Sequence, residues 1–169
     1  MNLKIDLDKL NYINNTWLGN CFACSSTNHR GLNMKFFYDK EGISSYINLH
    51  KDFCGFEGIA HGGIIATILD EIGAWTIFAL LKKIAVTQES NIKFLKPVFT
   101  NHMLKVEGRI TEEHNSNITT YSIIKDGKDN ILAECENKWL LVSAEILAKM
   151  SNININRINE MINRGLESL

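Results

Sequence analysis

The sequence predicts an α+β domain in which a curved antiparallel sheet wraps around one long central helix. Three observations carry that expectation. Residues 64–81 are apolar on every face rather than along one stripe, interrupted only by Asp70 and Glu71, which reads as a helix buried on all sides. Two strand-like segments precede this run and four follow it, linked by short polar stretches. In the last segment Ile131, Ala133, Cys135 and Trp139 alternate with Leu132, Glu134, Glu136 and Lys138, giving one apolar and one charged face.

The chain of 169 residues is long enough for one domain with a real core and short of two. With 45% hydrophobic residues, 22% charged and one Pro, its composition is that of a soluble globular protein. A net charge of −1 makes no electrostatic case for nucleic acid or for an anionic membrane. The start Met1-Asn2-Leu3-Lys4-Ile5-Asp6 lacks the apolar stretch of a secretory leader, so a cytoplasmic protein with reduced thiols is expected. Three segments are expected: an extension over 1–20, a domain over 21–142, and a helical tail over 143–169.

In chain order, residues 1–20 mix Leu, Ile, Tyr12 and Trp17 with Asn and Lys and read as a short helix packed on the outside of the domain. Cys21-Phe22-Ala23-Cys24 then precedes a turn-rich run to Leu32. A zinc site needs four ligands and only His29 lies nearby; a redox pair needs the βα setting of thioredoxin, which is missing. The two cysteines are therefore expected to be small, partly buried packing residues, and no metal is expected. Strands over 33–38 and 43–50 form a hairpin about the turn 39–42, and the loop 51–57 leads into Gly58-Ile59-Ala60-His61-Gly62-Gly63. Lys82-Lys83 end the helix with charges suited to a C-terminus. Strands over 85–95, 103–111, 118–125 and 131–142 follow, and Asp126-Gly127 marks the turn between the last two. Over 143–169, Ile158, Met161, Ile162 and Leu166 are spaced for one face of an amphipathic helix, packed on the body or on a partner subunit.

Chemistry is concentrated on the central helix. Two adjacent carboxylates at its middle would each cost roughly 2.5–3.5 kcal/mol in lipid, so it reads as a core helix with functional acids rather than a membrane span. His61-Gly62-Gly63 leaves the first helical amides bare and free of Cβ atoms, at the positive end of the helix dipole, which suits an oxyanion. The plainer alternative is that the glycines only cap or tightly pack the helix. Asp70 lies seven residues after Gly63, roughly 10 Å along the axis at about 1.5 Å per residue. One carbonyl cannot sit about 3 Å from both, so if both act on it a second copy of the chain supplies one of them.

These residues resemble a family. Gly58-Ile59-Ala60-His61-Gly62-Gly63, six residues, Asp70, and then Gln88-Glu89-Ser90-Asn91-Ile92-Lys93-Phe94-Leu95-Lys96-Pro97-Val98 are similar to the hotdog-fold acyl-CoA thioesterases of the phenylacetic-acid-degradation (PaaI-like) branch, over roughly residues 21–142. The resemblance implies hydrolysis of an acyl-CoA thioester in a homodimer or dimer of dimers, with no metal, nucleotide or redox cofactor. It implies that Gly62 and Gly63 hold the carbonyl oxygen and that Asp70 from the facing subunit is general base or nucleophile. Thr87 matches a position where relatives orient the attacking water, His61 faces the pocket or fixes the loop, and Cys21 and Cys24 hold a loop. Lys93 and Lys96 are candidates for contact with CoA phosphates, and Glu71 for a structural hydrogen bond or a place in the substrate site. Relatives often carry Gln or Asn about six or seven residues before the His to polarise the carbonyl. Here Gly55 and Cys54 stand there, and loss of such a donor costs on the order of 100- to 1,000-fold. Cys54 lines the pocket or, less simply, acts as a nucleophile with His61 as base. The alternatives to a thioesterase are a non-catalytic protein binding an acyl-CoA or an aromatic ligand, and a hydratase, for which the Asp-x-x-x-x-His pairing is absent.

Overall fold

A computed structural model describes residues 11–13, 19–167 and 169. Residues 1–10 and 14–18, most of the expected N-terminal helix, lie outside the described residues. Within that stretch Asn11–Ile13 is a strand, not a helix: β1 pairs with β2 (Phe36–Tyr38), and Ile13 is fully buried. The described strands continue with β3 (Ile43–Asn48), a small ribbon of β4 (Cys54–Phe56) and β5 (Ile59–Ala60), and, after helix α1 (Gly62–Leu81), β6 (Ile84–Phe94), β7 (Met103–His114), β8 (Asn117–Lys125) and β9 (Ile131–Val142). The main sheet runs β1-β2-β3-β7-β8-β9-β6, every pairing antiparallel. The strands after the helix begin or end within a few residues of the predicted limits, and the sheet wraps the central helix as expected.

Local chemistry explains the connections. Asp39 N–H donates to Gly42 O at 2.9 Å and closes the β2–β3 hairpin. Between β8 and β9 the Asp126 carboxylate accepts the amides of Lys128 (2.8 Å) and Asn130 (2.9 Å). The left-handed residue of that turn is Asp129, with φ 60°, rather than Gly127. Lys82, at φ 58°, ends α1 and donates its N–H to Phe78 O.

The core lies between α1 and the sheet. Ile68, Leu69, Ile72 and Ile77 of the helix are fully buried, as are Phe36, Val106, Ile124 and Ala133 of the strands. Each large side chain so buried contributes about 1.5–3 kcal/mol. Two glycines set how closely helix and sheet meet. A Cβ on Gly73 would stand 2.7 Å from Trp139 Cζ2, and one on Gly108 would stand 2.5 Å from Thr76 Oγ1. The helix is long and apolar enough to cross a membrane by length and composition, yet 56% of its apolar window is buried inside this domain.

The structure corrects two further expectations. Helix α1 is not covered all round: Gly63, Ala66, Thr67, Asp70, Glu71 and Ala74 form an exposed to half-buried stripe along it. In β9, Leu132 is buried with the apolar set and Asn137 sits fully buried on the inward face between Cys135 and Trp139. The tail is helical as expected but in two pieces, α2 (Ala144–Ser151) and α3 (Ile155–Glu167), broken at left-handed Asn152. Ile158 is buried, and Leu166 and Leu169 pack on the core, so the tail lies against its own body.

Candidate active site

The segment from Phe53 to Gly63 builds a cap for α1. The turn at Gly58, φ 78°, folds β5 back on β4, and Ala60 N–H donates to Val98 O at 2.8 Å. His61 N–H then donates to Phe53 O at 2.9 Å, which sets the imidazole at the N-cap position. Its Nδ1 accepts Gly63 N–H at 2.9 Å, and its carbonyl accepts the amides of Ile64 and Ile65. His61 therefore fixes the loop, and it divides the two amides expected to act together. Gly63 N–H is already satisfied by the imidazole. Gly62 N–H has no acceptor among the described residues and opens at the positive end of the helix.

Gly62 faces a cleft of about 610 Å³ shared with Gly55, Phe56, His61, Phe94 and Lys96. A Cβ on Gly62 would meet the Phe94 ring at 3.7 Å, so the ring forms the wall next to the free amide. A Cβ on Gly55 would lie 3.2 Å from both His61 Cα and Cδ2, so a longer side chain there would push on the capping imidazole. Cys54 is exposed on β4, opposite Ala60, outside the cleft lining. With Nδ1 of His61 taken by Gly63, the described residues show no base on Cys54. Lys93 points elsewhere: its ammonium is paired with Glu134 at 2.9 Å.

Asp70 lies two turns further along α1, on the half-exposed stripe. Thr87 Oγ1 of β6 donates to Asp70 Oδ1 at 2.8 Å. Burial raises the Asp70 carboxyl above its ordinary value, and the Thr87 hydrogen bond pulls against that shift. Cys135, buried behind it, has its thiol pushed up to about 11 by burial and by the Asp70 charge. Thr87 and Asp70 are thus in direct contact, which the sequence did not indicate, while the Gly62 cleft and the Asp70 carboxylate remain separate places within one chain.

Glu71 turns away from Asp70 to another cavity. Trp75 Nε1–H donates to its Oε1 at 3.1 Å, and the Cys21 sulfur lies 3.7 Å from both carboxylate oxygens. Burial, with the Cys21 charge, pushes its carboxyl up to about 7. Cys24 hydrogen-bonds the Cys21 sulfur, which also accepts the amides of Cys24 and Ala23; the Cys21 thiol is lowered to about 5 and Cys24 raised. Sequence reasoning missed both this meeting and Asn137, which accepts Cys135 S–H at 3.0 Å and donates to Leu69 O at 3.4 Å, one residue before Asp70. The period of two along β9 was the available signal for Asn137. No spacing links residue 71 to residues 21 and 24.

Residues 57–133 match the family model described as thioesterase superfamily. An uncharacterized protein of Schizosaccharomyces pombe is 32% identical over 80 residues, 46% of this chain and 46% of that protein. The chain spans about half the length of the curated relatives it matches. Among solved structures, a Streptococcus mutans UA159 protein bound to acetyl CoA superposes with TM-score 0.61 at 20% identity, covering 66% of this chain and 90% of that one. The PaaI protein of the E. coli phenylacetic acid degradation operon superposes with TM-score 0.60 at 17% identity, covering 64% and 83%. At these identities the likeness establishes the fold.

Proposed function

We propose, from the hotdog fold and the match of residues 57–133 to the thioesterase superfamily model, that this chain hydrolyses an acyl-CoA thioester to free acid and CoA at a site shared by two subunits. The observation that carries the reading is the split site: a free amide at the start of α1 and, two turns on, a Thr87-held carboxylate on the half-exposed stripe of the same helix. At about 1.5 Å per residue, Gly62 and Asp70 stand roughly 12 Å apart along the helix, so one thioester reaches both only across two copies. Supporting a dimer, β6 is an outer edge of the sheet in which 87–91 are exposed, and Phe94 and Leu95 beside it are 55% and 49% exposed.

In this mechanism the thioester oxygen accepts Gly62 N–H at the helix N-terminus, where charge develops as water adds to the carbonyl carbon. The partner's Asp70 takes the proton from that water. Thr87 occupies Oδ1, which leaves Oδ2 for the water. Collapse of the intermediate breaks the C–S bond, and the proton held by Asp70 leaves with the CoA thiolate. The alternative route, direct attack by the carboxylate, uses the same geometry and gives an anhydride that water then opens. Lys96, which lines the cleft, would meet a CoA phosphate in this reading.

One observation favours a second reading, a non-catalytic binder of acyl-CoA or aromatic ligands: of the Gly62 and Gly63 amides only that of Gly62 is free, Gly55 has no side chain, and Cys54 lies outside the cleft lining. Release of free thiol from short, long and arylacetyl CoA esters decides between them. Turnover that falls at least about a hundredfold in a folded Asp70→Asn supports hydrolysis with Asp70 as its base or nucleophile. A folded protein that CoA esters stabilise without turnover supports the binder.

A further inference from the structure

We propose that Cys21, Cys24 and Glu71 bind a zinc ion, with water in the fourth position, and that this clasp ties the loop carrying the cysteines to the middle of α1. Ligand type, number and spacing all fit. The one candidate ligand atom that each residue offers lies within 4.8 Å of the other two, a cluster formed among the described residues. Tetrahedral zinc with Zn–S of about 2.3 Å and Zn–O of about 2.1 Å places sulfur and oxygen about 3.6 Å apart. The Cys21 sulfur stands 3.7 Å from each Glu71 oxygen.

The surroundings suit a metal thiolate. Trp75 Nε1–H holds one Glu71 oxygen, the kind of outer hydrogen bond that orients a ligating carboxylate. Leu32 N–H donates to Phe22 O at 2.8 Å and Met34 N–H to Ala23 O at 2.9 Å, so the loop is braced from its other end. The three ligands border a cavity of about 200 Å³ lined by Trp75, Phe78 and Lys83, from which a water can reach the fourth position. Binding sends the protons of the thiols and the carboxyl to solvent.

The test is metal analysis of the full chain purified without nickel resin or chelator, followed by cobalt exchange. Expected are one zinc per chain and, with cobalt, a thiolate-to-metal charge-transfer band. Cys24→Ser should lose both, and Glu71→Gln and Trp75→Phe should bind zinc about 10- to 100-fold more weakly. If Cys24→Ser fails to fold, alkylation of wild-type Cys21 decides, being slowed at least about tenfold by zinc and restored by chelator. The proposal is overturned by wild type that holds no zinc after incubation with excess metal and dialysis, by zinc content unchanged in Cys24→Ser and Glu71→Gln, or by a Cys21–Cys24 disulfide in metal-free protein.

Discussion

At the scale of single residues, the proposed chemistry depends on which lone pairs and protons are already spent. His61 uses Nδ1 on Gly63, so Gly62 alone is left to face the cleft. Thr87 uses its hydroxyl on Asp70 and so decides which carboxylate oxygen is free. Removing that hydroxyl in Thr87→Val deprives a charged acceptor of its donor, worth roughly 1.5–3 kcal/mol and hence about ten- to a hundredfold in rate. The expected outcome is a fall in kcat with little change in KM, measured by thiol release, since Thr87 is a positioning residue.

At the scale of elements, the contact between α1 and the sheet is set by glycines and one buried polar pair. Trp139 Nε1–H donates to Thr120 Oγ1 at 2.8 Å directly beneath Gly73. Gly73→Ala would place its Cβ 2.7 Å from the Trp139 ring and 2.9 Å from Thr120 Oγ1. A loss of about 1–3 kcal/mol is expected from this overpacking, despite the better helix propensity of Ala, and denaturant unfolding would measure it. On the other face of the sheet Asp39, Lys105, Glu107 and Lys125 form a ladder of ion pairs. Burial alone would raise the Glu107 carboxyl, but the Lys105 and Lys125 ammonium groups hold it below its ordinary 4.5. A carboxyl lowered in the folded state adds stability above its unfolded pKa and loses it as pH falls through the folded value. The melting temperature should therefore drop on acidification below the ordinary carboxylate range, and less steeply in Glu107→Gln.

At the scale of the whole molecule, the uncovered stripe of α1 and the outer edge formed by β6 matter together. Both are what a second copy would cover in the proposed site. If each site takes Gly62 from one subunit and Asp70 from the other, Gly62→Val and Asp70→Asn proteins are each inactive alone. Unfolded and refolded together in equal amounts, they should recover up to about a quarter of wild-type activity, because half the dimers are mixed and each carries one intact site. Recovery near zero with mixed dimers demonstrably present would sink the shared site. A monomer by light scattering would do the same.

Periodicity and turn chemistry were enough to read the order of the elements from β2 onward, the length of the central helix and a helical tail, because those signals are local. The HGG start and Asp70 stand out in the sequence for the same reason, whereas Thr87 is singled out by the resemblance alone and its hydrogen bond to Asp70 needed the folded chain. What needed the folded chain was long-range. Residues 11–13 become a strand only because β2 offers an edge, and an apolar helix looks buried all round whether its cover comes from its own chain or from another. The Gly63 amide is lost to His61 through a cap geometry that spacing cannot express. Glu71 meets Cys21 and Cys24 across 50 residues because the loop before β2 is laid over α1, and no pattern along the sequence encodes that approach.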